Sequence, residues 1–110
     1  MVSGQWELLA TFNSTSQSNV VELTNSLAEY KAIAVCGGNI NTANTKMIYA
    51  TVQMPIDLFR SGVTAIPQFY SASANKAYTS RAIYVDDTHI NAWCTAIDNG
   101  QPLSYIYGVK

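Results

Sequence analysis

The sequence predicts an all-β domain, an antiparallel two-sheet β-sandwich of jelly-roll-like type with about eight strands and one or two single-turn helices. Two observations predict it. Hydrophobic residues recur with a period of two, in short runs rich in Val, Ile, Thr, Tyr and Trp that end at Asn, Gly, Ser, Asp or Pro. A chain of 110 residues, 48% of them hydrophobic, is long enough for one core and too short for two. We therefore expect a single domain over residues 1–110.

The predicted strands follow these runs in chain order. Alternation between two faces is clearest over Trp6–Phe12 and over Ile83–Val85. The strands are predicted at Gln5–Phe12, Asn19–Leu23, Lys31–Gly37, Lys46–Met54, Val63–Ser71, Ala77–Val85, His89–Ile97 and Leu103–Val109.

The turns between these runs predict how the last strands pair. Asp98-Asn99-Gly100 offers residues that tolerate positive φ in a tight hairpin, so we expect the last two strands to pair. Asp86-Asp87-Thr88 separates the preceding two strands in the same way, which predicts a three-stranded meander from Ala77 to Val109. Gly37-Gly38-Asn39 begins a longer polar loop that runs to Thr45.

Two segments break the strand pattern and predict single helical turns. In Thr24–Tyr30, Thr24 or Ser26 can cap the turn. In Pro55–Arg60, the proline suits the first helical position, and Ser61-Gly62 suits a stop.

The charge content limits the partners. Six Lys and Arg residues lie far apart along the chain, which does not fit binding to nucleic acid. No apolar run is long enough for a membrane span, and no signal-peptide pattern begins the chain, so we expect no membrane insertion. A net charge of −1 from only 13 charged residues favours self-association. Asn, Gln, Ser and Thr supply 34 residues, so the surface is expected to be neutral and to form hydrogen bonds through amides and hydroxyls.

The motifs of catalysis and cofactor binding are absent from the sequence, so we expect no enzyme activity and no cofactor. There is no Gly-x-Ser-x-Gly, zinc-ligand spacing or phosphate loop. His89 and Asp86 could only begin a metal site, which needs three or four ligands. Cys36 and Cys94 are predicted to be buried free thiols, with one interstrand disulfide as the alternative.

Aromatic and amide side chains remain as candidates for ligand contact. Aromatic faces stack on sugar C–H surfaces and amides satisfy hydroxyl groups, although tyrosines on strands also serve ordinary sheet packing. Side chains in loops project freely, which favours three segments, Asn39–Thr45, Tyr70–Tyr78 and Asp86–His89. The candidate binding residues are Asn39, Asn41, Asn44, Tyr70, Asn75, Tyr78, Asp86, Asp87 and His89.

Four landmarks occur in order along nearly the whole chain. Trp6-Glu7-Leu8-Leu9 opens it, Val20–Leu23 leads into Ser26–Val35, a strand ends at Met54-Pro55, and Tyr105–Lys110 closes it. Each is composed of common strand and turn residues, and their order and spacing carry the resemblance. In this pattern the chain resembles the small C-terminal domains of bacteriophage tail fibres and minor tail proteins.

The resemblance implies a homotrimeric β-sandwich at the distal end of a fibre, assembled in the bacterial cytoplasm and acting outside the cell as part of the virion. Such a tip binds a polysaccharide or protein of the host surface and carries no catalytic residues. Residues 1–4 are then expected to join an upstream stalk. The alternatives are a virion decoration protein that binds another phage protein, a bacterial lectin-like adhesin, and a glycan depolymerase fragment.

Overall fold

A computed structural model describes residues 5–40, 43–71, 76–95 and 101–110, and within them the chain forms eight strands, one short α-helix and one 3₁₀ turn. The predicted all-β sandwich is confirmed. The helix α1 spans Ile56–Arg60 and the 3₁₀ turn spans Leu27–Glu29. The strands are β1 Trp6–Phe12, β2 Val20–Glu22, β3 Ala32–Ile40, β4 Lys46–Pro55, β5 Gln68–Ser71, β6 Lys76–Asp86, β7 His89–Cys94 and β8 Gln101–Val109.

The strands form two antiparallel sheets. Sheet 1 has the order β1-β8-β3-β4 and sheet 2 has the order β2-β7-β6-β5. The first two strands pair with the last two: β1 pairs with β8 in sheet 1, and β2 pairs with β7 in sheet 2. The two ends of the chain thus form one antiparallel ribbon that is divided between the sheets. This is the jelly-roll feature of the fold. The middle strands pair instead as two hairpins, β3–β4 and β5–β6.

The predicted three-stranded meander is wrong at its last strand. The β6–β7 hairpin forms, but β8 lies in sheet 1 between β1 and β3. Both edges of β7 are already occupied, by β2 and β6, so β8 cannot pair with it. By crossing to the other sheet, β8 places Ile106 and Ser104 opposite the core side of β7, where Ser104 Oγ lies 3.4 Å from Cys94 Sγ. The predicted Asp98-Asn99-Gly100 turn lies outside the described residues.

Several strand boundaries also differ from the prediction, and those of β3 and β5 have a local cause. β3 continues to Ile40, because Gly37 and Gly38 lie within the strand and do not start a loop. β5 is shorter than predicted: between Val63 and Pro67 the chain makes only an isolated bridge, from Ala65 to Ala82. Pro67 has no backbone N–H for the ladder, which explains why the regular strand begins only after it.

The core lies between the sheets. Ile33, Val35 and Ile106 of sheet 1 face Ala82 and Ala92 of sheet 2 within one buried cluster. The small alanines leave room for the two predicted helical turns, which insert Leu27 and Phe59, both without exposed surface. As predicted, the Ser26 hydroxyl caps the 3₁₀ turn by accepting from Ala28 N–H at 3.2 Å. Pro55 precedes α1 as its cap and is not its first helical residue.

The two ends of the sandwich differ. The closed end carries α1, the 3₁₀ turn and the β6–β7 turn, and Leu27 N–H donates to Asp87 O there. Gln5 and Lys110 also lie at the closed end, where Lys110 N–H donates to Gln5 O at 3.0 Å. We call the opposite end the loop end. The strands joined by the β3–β4, β5–β6 and β7–β8 connections end and begin there. No helix in the described segments is long and apolar enough to cross a membrane.

Candidate functional site

Three aromatic rings stack at the loop end, each from a different strand. Tyr49 of β4 lies 4.8 Å from Phe69 of β5 and 5.7 Å from Tyr78 of β6, measured between ring centroids. The interplanar angles of these two contacts are 19° and 26°. Phe69 and Tyr78 face each other in the β5–β6 register, and their rings are 6.4 Å apart and nearly parallel. We call these three residues the aromatic stack.

The stack bridges the two sheets because β4 carries a bulge. Gly37 pairs with Ala50 and Gly38 pairs with Ile48, so Tyr49 is the extra residue of β4. The bulge depends on Gly38, since a Cβ built there would lie 1.7 Å from the backbone oxygen of Met47. The two consecutive glycines therefore place Tyr49 at the edge of sheet 1, where its ring meets sheet 2.

The stack remains open to solvent. Phe69 keeps 38% of its surface exposed, whereas Tyr49 and Tyr78 are half-buried. Tyr70 follows Phe69, points to the other face of β5 by strand alternation, and is 58% exposed. On β4, next to Tyr49, Ile48 is also exposed. The loop end thus presents rings and aliphatic side chains that an external ligand can reach.

The predicted contact residues of the first two loops lie in different parts of the structure. Tyr78 belongs to the aromatic stack, whereas Tyr70 lies at the same end of the sandwich on the opposite face of β5. Asn44 is exposed and adopts φ 62°, a left-handed conformation that asparagine tolerates in turns. Asn41 and Asn75 lie outside the described residues.

The placement of Asn39 in a contact loop is wrong. Asn39 belongs to β3 and is 3% exposed, because Gly37-Gly38 lets the strand run on. Its pairs are Met47 of β4 and Pro102 of β8, so it lies in the middle of sheet 1.

Two residues of the aromatic stack were not among the sequence candidates. Phe69 could have been found from hairpin register, since a strand pair joined by the segment after Ser71 places it opposite Tyr78. Tyr49 has no such local signal, because its contact joins two strands of different sheets.

The Asp86–His89 turn lies at the closed end, away from the aromatic stack. One carboxylate oxygen of Asp86 accepts from Thr88 N–H at 2.9 Å and lies 3.0 Å from His89 Nδ1. These hydrogen bonds, led by the Thr88 N–H, lower the pKa of Asp86 below its ordinary value. His89 Nε2 also lies 3.8 Å from a Glu22 carboxylate oxygen on the neighbouring strand. The contacts shape the turn and its pairing with β2.

Asp87 serves as a brace for α1. The Arg60 guanidinium donates to both carboxylate oxygens of Asp87, at 2.9 and 2.6 Å, and the Tyr84 hydroxyl donates to one of them at 2.9 Å. Hydrogen bonding to Asp87 is the main cause that raises the pKa of Arg60. Because its carboxylate is engaged in this way, Asp87 has a structural role that the sequence did not predict.

Both cysteines are buried and unbridged. Cys94 faces the core beside Ser80 and Ser104, whose hydroxyls are 2.6 Å apart, and burial raises the pKa of the Cys94 thiol. His89 is five residues away on the same strand, roughly 16 Å at the rise of a β-strand, so Cys94 and His89 do not form a nucleophile–base pair. Cys36 lies on the opposite side of sheet 1, where its sulfur accepts from the Thr51 hydroxyl at 3.4 Å.

The described part of the chain offers few other places where a ligand or a metal ion could bind. Beside Cys94 lies a cavity of about 10 Å³, the size of a single water. Among the described residues, no three His, Cys, Asp or Glu side chains converge as metal ligands. Comparison with protein-family models and with curated proteins found no match for this chain.

Proposed function

We propose that this chain is a non-enzymatic receptor-recognition domain that binds a glycan of a host cell surface at its loop end, as the tip of a phage tail fibre. The aromatic stack is the observation that carries the proposal. Three rings from three strands lie together, and the most exposed of them, Phe69, is followed by Tyr70 with more than half of its surface in solvent.

The chemistry of the loop end suits a sugar. Aromatic rings offer flat apolar faces to the C–H surface of a pyranose, and a phenol hydroxyl can exchange hydrogen bonds with sugar hydroxyls. The ion pairs Arg60–Asp87 and Lys110–Glu7 lie at the closed end. The three stacked rings are uncharged, and Lys46 and Lys76 begin β4 and β6 at the same end of the sandwich as the stack. A polysaccharide is therefore the ligand class that the stack favours.

The position of Gln5 and Lys110 supports a tip. Gln5 and Lys110 meet at the closed end, so a stalk joined before Gln5 would leave the aromatic stack pointing away from the fibre. Three copies on one fibre would raise the effective affinity of a weak, shallow site by roughly 10² to 10⁴. A trimer of such domains can thus hold a cell although each site binds weakly.

Alanine substitution at the loop end tests the proposal. We expect Tyr70→Ala and Phe69→Ala each to weaken binding to a panel of bacterial cells and to an array of their surface polysaccharides, by about tenfold per site. The matched control is Leu58→Ala, since Leu58 is 45% exposed on α1 at the closed end. Circular dichroism at the assay temperature confirms that each variant is folded. Equal binding by the wild type and both loop-end variants would contradict the site.

A further inference from the structure

A strip of polar and aromatic side chains runs from the loop end along the outward surface of sheet 2. Both neighbours of Arg81 on β6 are buried, so Arg81 points away from the core. Trp93 of β7 pairs with Arg81 and also lies between two buried residues. Tyr70 faces the same side, because it pairs with Ala77, which shares a face of β6 with Arg81. We call these side chains the sheet-2 strip; its members are Tyr70, Gln68, Thr79, Thr95, Arg81 and Trp93.

Next to Tyr70, the strip consists of uncharged side chains that can form hydrogen bonds. Gln68 pairs with Thr79, and Thr95 N–H donates to Thr79 O at 2.7 Å, so the three residues lie side by side across the strands. Gln68 and Thr95 are exposed, and Thr79 is partly exposed. An amide and two hydroxyls offer both donors and acceptors to the hydroxyls of a sugar. This row continues the chemistry of the loop end onto sheet 2.

Arg81 and Trp93 form the next row, and Arg81 is the charged member of the strip. Arg81 is four residues beyond Ala77, the partner of Tyr70, which is roughly 13 Å at the rise of a β-strand. The guanidinium carbon of Arg81 lies 5.8 Å from the centroid of the Trp93 ring. Stacking on an aromatic ring orients the planar guanidinium and leaves its N–H groups able to donate.

Arg60 shows what a guanidinium binds elsewhere in this protein. It donates to both carboxylate oxygens of Asp87, at 2.9 and 2.6 Å, which is the two-point contact that arginine makes with a carboxylate. Of the ion pairs that the described residues form, none includes Arg81. Within the described part of the chain, Arg81 thus has an aromatic support and no carboxylate partner.

The charges of the described residues differ between the two ends of the sandwich. Lys46 and Lys76 begin β4 and β6 at the loop end. Asp98 lies outside the described residues. The other carboxylates lie at the closed end, on β1, β2, the two helical turns and the β6–β7 turn: Glu7, Glu22, Glu29, Asp57, Asp86 and Asp87. An anionic ligand on the strip therefore meets positive charge and avoids these carboxylates.

We propose that Arg81 and Trp93 form a carboxylate-binding subsite of the glycan site, and that the ligand is a polysaccharide with carboxylated sugars. The proposal rests on the proposed function, since the same sugar chain binds at the loop end. In a carboxylated sugar, the anion is attached to the pyranose ring. Arg81 can therefore donate two hydrogen bonds to the carboxylate while the ring of that sugar packs on the exposed part of the Trp93 indole.

The test compares a polysaccharide with its carboxyl-reduced form, in which each carboxylate is replaced by an uncharged hydroxymethyl group. The polysaccharide is purified from cells to which the wild-type protein adheres, and the Kd for each form is measured. We expect the wild type to bind the native form about tenfold more tightly than the reduced form, and Arg81→Gln to bind both forms equally. Arg81→Lys keeps the charge but loses the two-point contact, so its preference for the native form is expected to be smaller than that of the wild type.

Lys31→Gln is the matched control, because it removes the same charge from an exposed position at the closed end. It is expected to keep the wild-type preference. Circular dichroism confirms the fold of each variant, and Arg81→Lys carries the comparison if Arg81→Gln does not give a native spectrum.

The preference for the native form separates a subsite from a purely structural role of Arg81. If the Arg81–Trp93 contact only stabilised the sheet, Arg81→Gln would weaken the binding of both forms by the same factor, and this result would overturn the proposal. A bound polysaccharide without carboxylated sugars, including one whose anions are all phosphates, would also overturn it. In both cases, weaker binding by Phe69→Ala would still support the proposed function. A wild type that binds no cell would contradict the proposed function and the subsite together.

Discussion

Replacing Gly38 by alanine is expected to disrupt the strand pair that positions Tyr49. A Cβ at Gly38 would lie 1.7 Å from the oxygen and 2.7 Å from the carbonyl carbon of Met47, so the two backbones must separate. Beyond this point β3 and β4 share the pairs at Gly38, Asn39 and Ile40. Losing about three backbone hydrogen bonds, at roughly 1 kcal/mol each, predicts a destabilisation of about 3 kcal/mol.

Thermal unfolding followed by circular dichroism measures this loss. For a domain of this size, about 3 kcal/mol corresponds to a fall in Tm of roughly 12 °C. Gly37→Ala is the matched control, because its Cβ would meet Ser80 Oγ at 3.0 Å and Pro67 side-chain carbons at 3.4 Å, contacts that a side chain can relieve. A Gly38→Ala protein as stable as the wild type, or less affected than Gly37→Ala, would refute the reasoning.

Three further predictions concern the core and the closed end. Phe59→Ala removes a side chain with no exposed surface and is expected to cost roughly 3–5 kcal/mol by urea unfolding; a loss below about 1 kcal/mol would contradict its placement. Arg60→Ala is expected to lower the free energy of unfolding far less than Phe59→Ala in the same assay, because Arg60 and Asp87 keep about a third of their side chains in solvent; a loss as large as that of Phe59→Ala would contradict this. The Tyr30 hydroxyl donates to Glu7 at 2.7 Å and lowers the pKa of Glu7 below its ordinary 4.5. As the pH falls, Glu7 of the unfolded chain therefore takes up its proton before Glu7 of the folded chain, and the free energy of unfolding decreases as the pH drops below the ordinary pKa of Glu7. Glu7→Gln is expected to reduce the fall in stability between pH 6 and pH 3, and an unchanged pH dependence would argue against the contact.

The strands could be predicted from the sequence because period-two alternation is a local property. Pairing between strands is not local. Asp98-Asn99-Gly100 signals a turn but does not say which sheet the next strand joins, and β8 joins sheet 1 because both edges of β7 are occupied. Gly37-Gly38 is typical of a turn, yet here both glycines lie within β3 and permit a bulge in the neighbouring strand β4. Because β3 runs on past them, Asn39 is buried within the sheet.

In the candidate site, too, residues close in sequence could be predicted, whereas contacts between residues far apart in sequence could not. Tyr70 and Tyr78 were predicted because they flank one loop. Tyr49 belongs to the site through a bulge and a contact between sheets. Asp87 was predicted to contact a ligand, but its partner Arg60 lies 27 residues earlier in the chain, at a distance that no local pattern encodes.

Hydrogen–deuterium exchange with and without a bound polysaccharide tests most directly whether the loop end is the receptor site. The polysaccharide would be purified from cells to which the wild-type protein adheres. The account predicts that the ligand slows exchange in the first residues of β4 and on both sides of the β5–β6 connection, around Tyr49, Phe69 and Tyr78. Protection confined to the closed end, around α1 and the β6–β7 turn, would contradict it.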